Sequence, residues 1–171
     1  PVRYGKPSEI AAGTTIQFSP AAHLLGSAFV LCTLGNGKRL LFGGDLGRYN
    51  RPVLPDPAAA LGADLVLVES TYGDRDHEAD DNGEALAEVI RDTAERKGKL
   101  IIPAFAIGRV EEVLYWIRRL EREKRIPVLP VYVDSPMAVE ALKFYTSHVA
   151  ELDDDVPPPR KDVDTFATAR Y

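Results

Sequence analysis

The sequence holds 171 residues, about the size of one ordinary domain. With 45% hydrophobic and 27% charged residues it has a globular balance, which excludes disordered, collagen-like and disulfide-rich classes. Its 21 basic and 26 acidic residues leave a net charge of −5, too acidic for a general polyanion-binding module.

Residues 13–18 alternate polar and apolar positions and predict a strand. Residues 27–34 predict a second, and 38–42 a third, with the tight turn Gly35-Asn36-Gly37 between them. The opening is therefore antiparallel sheet. After Pro57 the pattern changes. Residues 64–69 hold a continuous apolar run, as in a strand buried on both faces. Residues 82–97 have helical spacing, with Leu86, Val89, Ile90 and Thr93 inward and Gly98 at the C-cap. Residues 100–104 predict the next buried strand. A helix follows over 108–124, with Val113, Trp116, Ile117 and Leu120 inward. Residues 128–133 predict a strand. Ser135 and Pro136 supply the N-cap and first position of a helix running from 137 to about 148. The alternation of strands and helices predicts right-handed parallel βαβ units, so the class is α/β. Pro157-Pro158-Pro159 predicts an extended connector.

Charge and cysteine narrow the setting. Residues 1–75 carry 7 Lys/Arg and 6 Asp/Glu, a balance of +1; residues 76–171 carry 14 and 20, a balance of −6. Most of that acid is expected on solvated helix faces and in the 151–155 run. The longest apolar runs are too short to cross a bilayer as helices, so no membrane partner is expected. Cys32 is the only cysteine, which fits a reducing compartment and a cytoplasmic location. It is expected to be a small buried hydrophobe. The chain starts Pro-Val-Arg without a methionine and ends Ala-Arg-Tyr, so a stretch of a longer protein is expected.

Four places could carry chemistry. His23 lies in a loop ahead of a strand, where its ring is either structural or aimed into a cleft. Asp45 follows an apolar strand through Gly43-Gly44, either capping its own turn or lying at a sheet edge where backbone approaches something closely. Glu69 ends the run 65–68, either a strand-end cap or a carboxylate in the crevice where parallel strands finish. Residues 103–109 join a strand to a helix, where amide groups and Arg109 either face solvent or face an anion. No Walker A loop and no Gly-x-Gly-x-x-Gly is present.

Together these pieces resemble one family. His23 in Ala-His-Leu-Leu-Gly-Ser-Ala is similar to the third metal motif of metallo-β-lactamase-fold hydrolases. Asp45 in Phe-Gly-Gly-Asp-Leu-Gly-Arg resembles the fourth, the metal-bridging aspartate. Glu69 in Val-Glu-Ser-Thr-Tyr-Gly-Asp resembles the acidic motif of the β-CASP branch. Residues 103–112 and 133–138 resemble stretches of the β-CASP domain itself. The family's His-x-His-x-Asp-His motif and its two later histidine motifs have no counterpart in these 171 residues.

The resemblance implies the second part of a metallo-β-lactamase αββα sandwich over 1–75, followed by the first part of an inserted parallel-sheet β-CASP domain over 76–171. It implies a zinc-dependent hydrolase of RNA phosphodiester bonds, an endo- or exoribonuclease, with two zinc ions about 3.5–4 Å apart in the complete site. His23 would ligate one ion and Asp45 would bridge both. Glu69 would orient a histidine that protonates the leaving oxygen. Ser70, Gly108 and Arg109 are expected to touch substrate. His77 either lines the cleft or is structural, and His148 suits the negative end of a helix dipole. With two ligands the 171-residue stretch alone is expected to be inactive. RNA is the expected partner, and the oligomeric state stays open, a homodimer included. Two other readings stand beside this one: a metal-free RNA-binding or scaffold paralogue, and a small-ester hydrolase of the same fold.

Overall fold

A computed structural model describes residues 2–76, 79, 81–156 and 169–170. The chain forms two compact units, Pro1–Asp76 and His77–Tyr171.

The first unit is a five-stranded sheet. Its strands are β1 (Ser8–Ala11), β2 (Thr14–Pro20), β3 (Ala28–Thr33), β4 (Arg39–Phe42) and β5 (Leu65–Leu67), in spatial order of the chain. β1 to β4 are antiparallel neighbours, as the alternation and the Asn-Gly turn predict, and β1 is an addition. The turn closes because Gly37 takes a φ of 83° and Leu34 and Lys38 bond across it at 2.9 Å. β5 joins β4 in parallel. Asp64 docks it there: its carboxylate accepts from the Arg39 amide at 2.8 Å, and its own amide donates to the Arg39 carbonyl. On one face Phe29, Leu31 and Leu41 gather with Ala21. The loop after β4 covers them with Leu46, Ala58, Leu61 and Ala63.

The run 64–69 departs from expectation. Only residues 65–67 are strand, and residues 65–68 are 47–64% exposed rather than buried on both faces. The cause is position. Among the described residues β5 is the sheet edge, bonded to β4 alone, and nothing covers its apolar side chains.

Among its described residues the second unit is built on three helices, α1 (Glu84–Glu95), α2 (Arg109–Arg122) and α3 (Pro136–Ser147), with a 3-10 turn at Val149–Glu151. A two-residue β6 (Val131–Tyr132) pairs in parallel with β7 (Ala169–Arg170). α1 and α2 share a core of Ala87, Ile90, Ile117 and Leu120, joined by Ile126. Each of these buried Leu or Ile side chains contributes about 1.5–3 kcal/mol. Val89 is exposed and Ala87 takes the inward place expected for it. Half of the residues of α2 are buried: Leu114, Tyr115 and Trp116 are inside as well, and so are Glu111 and Glu121.

The caps explain where the helices stop. α1 and α2 end identically, with Lys97 and Lys124 in the left-handed region at φ 53° and 59°. Gly98 then donates to Thr93, and Arg125 to Leu120, each at 2.9 Å, which is the Schellman arrangement. Gly98 therefore stands one residue beyond the left-handed position expected of it. At the start of α3, Ser135 Oγ accepts from the Ala138 amide at 3.2 Å and Pro136 opens the helix, as predicted. Arg125 ties the helix pair together, reaching Glu84 at 2.6 Å and Glu123 at 3.1 Å.

Two predicted strands are corrected. Residues 100–104 form no strand, and Ile101 is 85% exposed. Strand formation needs a ladder partner, and no described segment supplies one there. The strand over 128–133 shrinks to Val131–Tyr132, the two residues that β7 reaches. Pro157-Pro158-Pro159 lies outside the described residues. Among those residues no helix is long and apolar enough to cross a membrane.

Candidate metal centre

Topology gathers the two candidate acids and the candidate imidazole of the first unit. β2 and β4 are each antiparallel to β3, and β5 is parallel to β4, so all three finish at the same end of the sheet. The loops leaving that end carry His23, Asp45 and Glu69.

The His23 loop is pinned by Ser27. Its Oγ accepts from the amides of His23 at 3.0 Å and Leu24 at 3.1 Å, while its carbonyl accepts from the Ala21 amide. Asp45 depends on the two glycines before it. Gly43 donates to the Leu67 carbonyl at 2.8 Å, and a Cβ there would stand 3.1 Å from that oxygen. Gly44 has φ 59°, a backbone state that L side chains resist. These glycines let the chain turn off β4 between its neighbours.

His23 Nε2 and Asp45 Oδ2 stand 3.9 Å apart, both side chains open to solvent. An imidazole nitrogen and a carboxylate oxygen are zinc donors by type, each bonding at about 2.0–2.2 Å. Around a tetrahedral ion two such bonds set their donors about 3.3–3.6 Å apart, so one ion fits between these atoms after a small closure. The pair fits a zinc site in kind. It falls short in number, since a catalytic zinc takes three protein ligands. Among the described residues no cluster of three His, Cys, Asp or Glu suited to a metal occurs.

Glu69 is held at both oxygens. Oε1 accepts from the Leu46 amide and Oε2 from the Thr71 hydroxyl, each at 2.7 Å. The Thr71 bond, then the Leu46 bond, hold its carboxyl below the ordinary carboxylate range; desolvation opposes them and His23 adds a smaller pull downward. The carboxylate is thus ionised and oriented beside the His23–Asp45 pair. Ser70 follows it at the surface, its carbonyl accepting from Gly73.

A family profile described as Beta-Casp domain matches residues 110–170. The chain is 40% identical over 157 residues to Ribonuclease TTHA0252 of Thermus thermophilus, covering 91% of this chain and 36% of that protein. It is 34% identical over 162 residues to transcription termination factor FttA of Methanosarcina mazei, covering 91% and 25%. Against endoribonuclease YSH1 of Kluyveromyces lactis it is 30% identical over 152 residues, covering 85% and 20%. The chain belongs to the β-CASP branch of the metallo-β-lactamase superfamily. It spans about a third or less of the length of these β-CASP relatives.

The β-CASP profile falls within the second unit, where the junction before α2 was expected to touch substrate. Gly108 takes φ 82° as the N-cap of α2. Arg109 is paired with Glu112 at 2.7 Å on its own helix. Just behind, Glu111 is wholly buried and neither carboxylate oxygen has a hydrogen-bond partner among the described residues. Burial pushes its carboxyl up, and the nearby amides of Glu111 and Gly108 offset only part of that push. His77 lies outside the described residues. His148 follows α3 as its C-cap, its Nδ1 2.9 Å from the Phe144 carbonyl and 3.0 Å from the Ser147 hydroxyl. Cys32 faces Leu40 across β3 and β4 and is half-buried rather than buried.

Sequence reasoning missed Ser27, Leu46, Thr71 and Glu111. Thr71 had a signal in its two-residue spacing from Glu69. Leu46 acts through its backbone, which no side-chain motif announces. Glu111 falls on the buried face of α2, and periodicity alone would have placed it there.

Proposed function

We propose that the full-length protein carrying this chain hydrolyses RNA phosphodiester bonds at a two-metal, zinc-type centre. The carrying observation is the placement of His23 and Asp45 at 3.9 Å on one sheet end, with Glu69 hung from the amide next to Asp45. The finer architecture goes with this reading: a lactamase-type αββα sandwich in the first unit and a β-CASP insertion in the second. The names of the relatives support RNA as substrate.

Two metal ions, when bound, supply an activated water at neutral pH and neutralise charge on the transferring phosphate. His23 would donate its neutral Nε2 to one of them, and Asp45 would share its two oxygens between both. Glu69 would remain ionised and accept a hydrogen bond from a histidine outside these 171 residues, orienting that ring to protonate the leaving oxygen. Ser70, Gly108 and Arg109 would contact the RNA backbone; for Arg109 this requires release of Glu112. The 171-residue stretch alone would hold zinc weakly and cleave no RNA, because it contributes two of the needed donors.

The test is zinc content and RNA cleavage of the full-length protein and its Asp45→Ala variant. About two zinc ions per chain, lost together with cleavage in the variant, is the expected result. RNA binding with no zinc and no cleavage would replace the hydrolase by a scaffold. Hydrolysis of small esters but not RNA would move the substrate class.

A further inference from the structure

We infer that the two backbone amides following Asp45, those of Leu46 and Gly47, form a clasp that positions Glu69 and His23 around it. This rests on the proposed metal centre but concerns residues that centre does not itself use. The Leu46 amide donates to Glu69 Oε1 at 2.7 Å. The next amide, of Gly47, donates to the Ala21 carbonyl at 2.7 Å, two residues before His23. Three loops from three strand ends therefore meet on one dipeptide.

The second half of the clasp demands glycine. A Cβ on Gly47 would collide with the Ala22 carbonyl and stand 2.9 Å from the His23 amide. Both neighbours are backbone, so a flexible side chain cannot yield. Ala22 is already in the left-handed region at φ 57°, and the Ser27 hydroxyl holds the far side of the loop. The loop is gripped from both sides, and its freedom to retreat is small. Gly47 and Leu46 are positioning residues: they set the distance between the imidazole and the carboxylate without touching a ligand.

The clasp is tested in the full-length protein with two readouts: zinc affinity, and the His23 imidazole resonances of the metal-free protein, assigned with His23→Gln. Gly47→Ala is expected to shift the His23 resonances, leave those of His148 in place, and weaken zinc binding by about 10- to 100-fold, the range for groups that orient metal ligands. Gly62→Ala is the control; a Cβ there would meet only the tip of Arg39, at 4.0 Å, and both readouts should match the parent. A folded Gly47→Ala with unmoved His23 resonances and parental zinc affinity overturns the clasp. Should Gly47→Ala not fold, the Leu46 half decides: Glu69→Leu removes the acceptor, Glu69→Gln keeps one. Weaker zinc binding in Glu69→Leu, restored in Glu69→Gln, supports the clasp, and equal affinities in the two overturn it. A parent protein that binds no zinc defeats the proposed function instead; the His23 resonances of Gly47→Ala, or of Glu69→Leu against Glu69→Gln, then judge the clasp alone.

Discussion

Thr71 donates its hydroxyl to Glu69 Oε2 at 2.7 Å, and this bond does more than any other to keep the Glu69 carboxyl ionised. Its folded value lies below the ordinary 4.5, so the stability it contributes is present above 4.5 and lost as pH falls through the folded value. Thr71→Val removes the hydroxyl while keeping the shape. The Glu69 titration midpoint, followed by carboxyl NMR, should move up toward 4.5 in that variant. An unmoved midpoint would assign the shift to Leu46 instead.

Glu111 has the opposite sign. Burial raises its folded value above 4.5, so the folded chain keeps a proton that the unfolded chain releases. Stability therefore falls as pH rises from 4.5 until the folded value is passed. Glu111→Gln has no such proton to lose. It should melt later than the parent at pH 7, by the equivalent of about 1–3 kcal/mol for an unpartnered buried group, and the gap should close toward pH 4. Melting curves at the two pH values settle it; a gap that does not depend on pH would mean packing, not ionisation.

Gly83 lies against the Trp116 ring. A Cβ on Gly83 would stand 2.9 Å from Trp116 Cε3, and the backbone there has φ 74°. Gly83→Ala should lose about 1–3 kcal/mol from overpacking, with strain at positive φ adding to it. Denaturant unfolding of the second unit reads this directly. No loss would show that the indole slides aside.

Ser135 offers a smaller and cleaner measurement. Its hydroxyl satisfies the Ala138 amide at the start of α3. Ser135→Ala should cost about 1 kcal/mol. Leu120→Ala, in the α1–α2 core with no exposure, should cost about 2–5 kcal/mol. Reversing that order would place the stability of this unit outside its helix-pair core.

Local signals made much of this fold legible. The Asn-Gly turn, the alternation of β2 and β3, and the Ser-Pro start of α3 all act within a few residues, and all three hold. The failures are long-range. Whether a strand is buried depends on what lies beside it, so the apolar runs at 65–68 and 100–104 read alike but become an exposed edge and an exposed loop. The candidate centre divides in the same way. His23, Asp45 and Glu69 are visible as side chains in motifs, whereas Leu46 and Gly47 join them through amides that every residue except proline carries.

The edge at β5 has a practical side. The four apolar residues from Leu65 to Val68 stand exposed along an edge that no described strand fills. Such an edge is a template for adding a strand from another molecule. Studied by itself at high concentration, this chain would be drawn toward self-association through that rung. Light scattering against dilution, with Val66→Lys as a blocked edge, therefore belongs before any binding curve on the isolated piece.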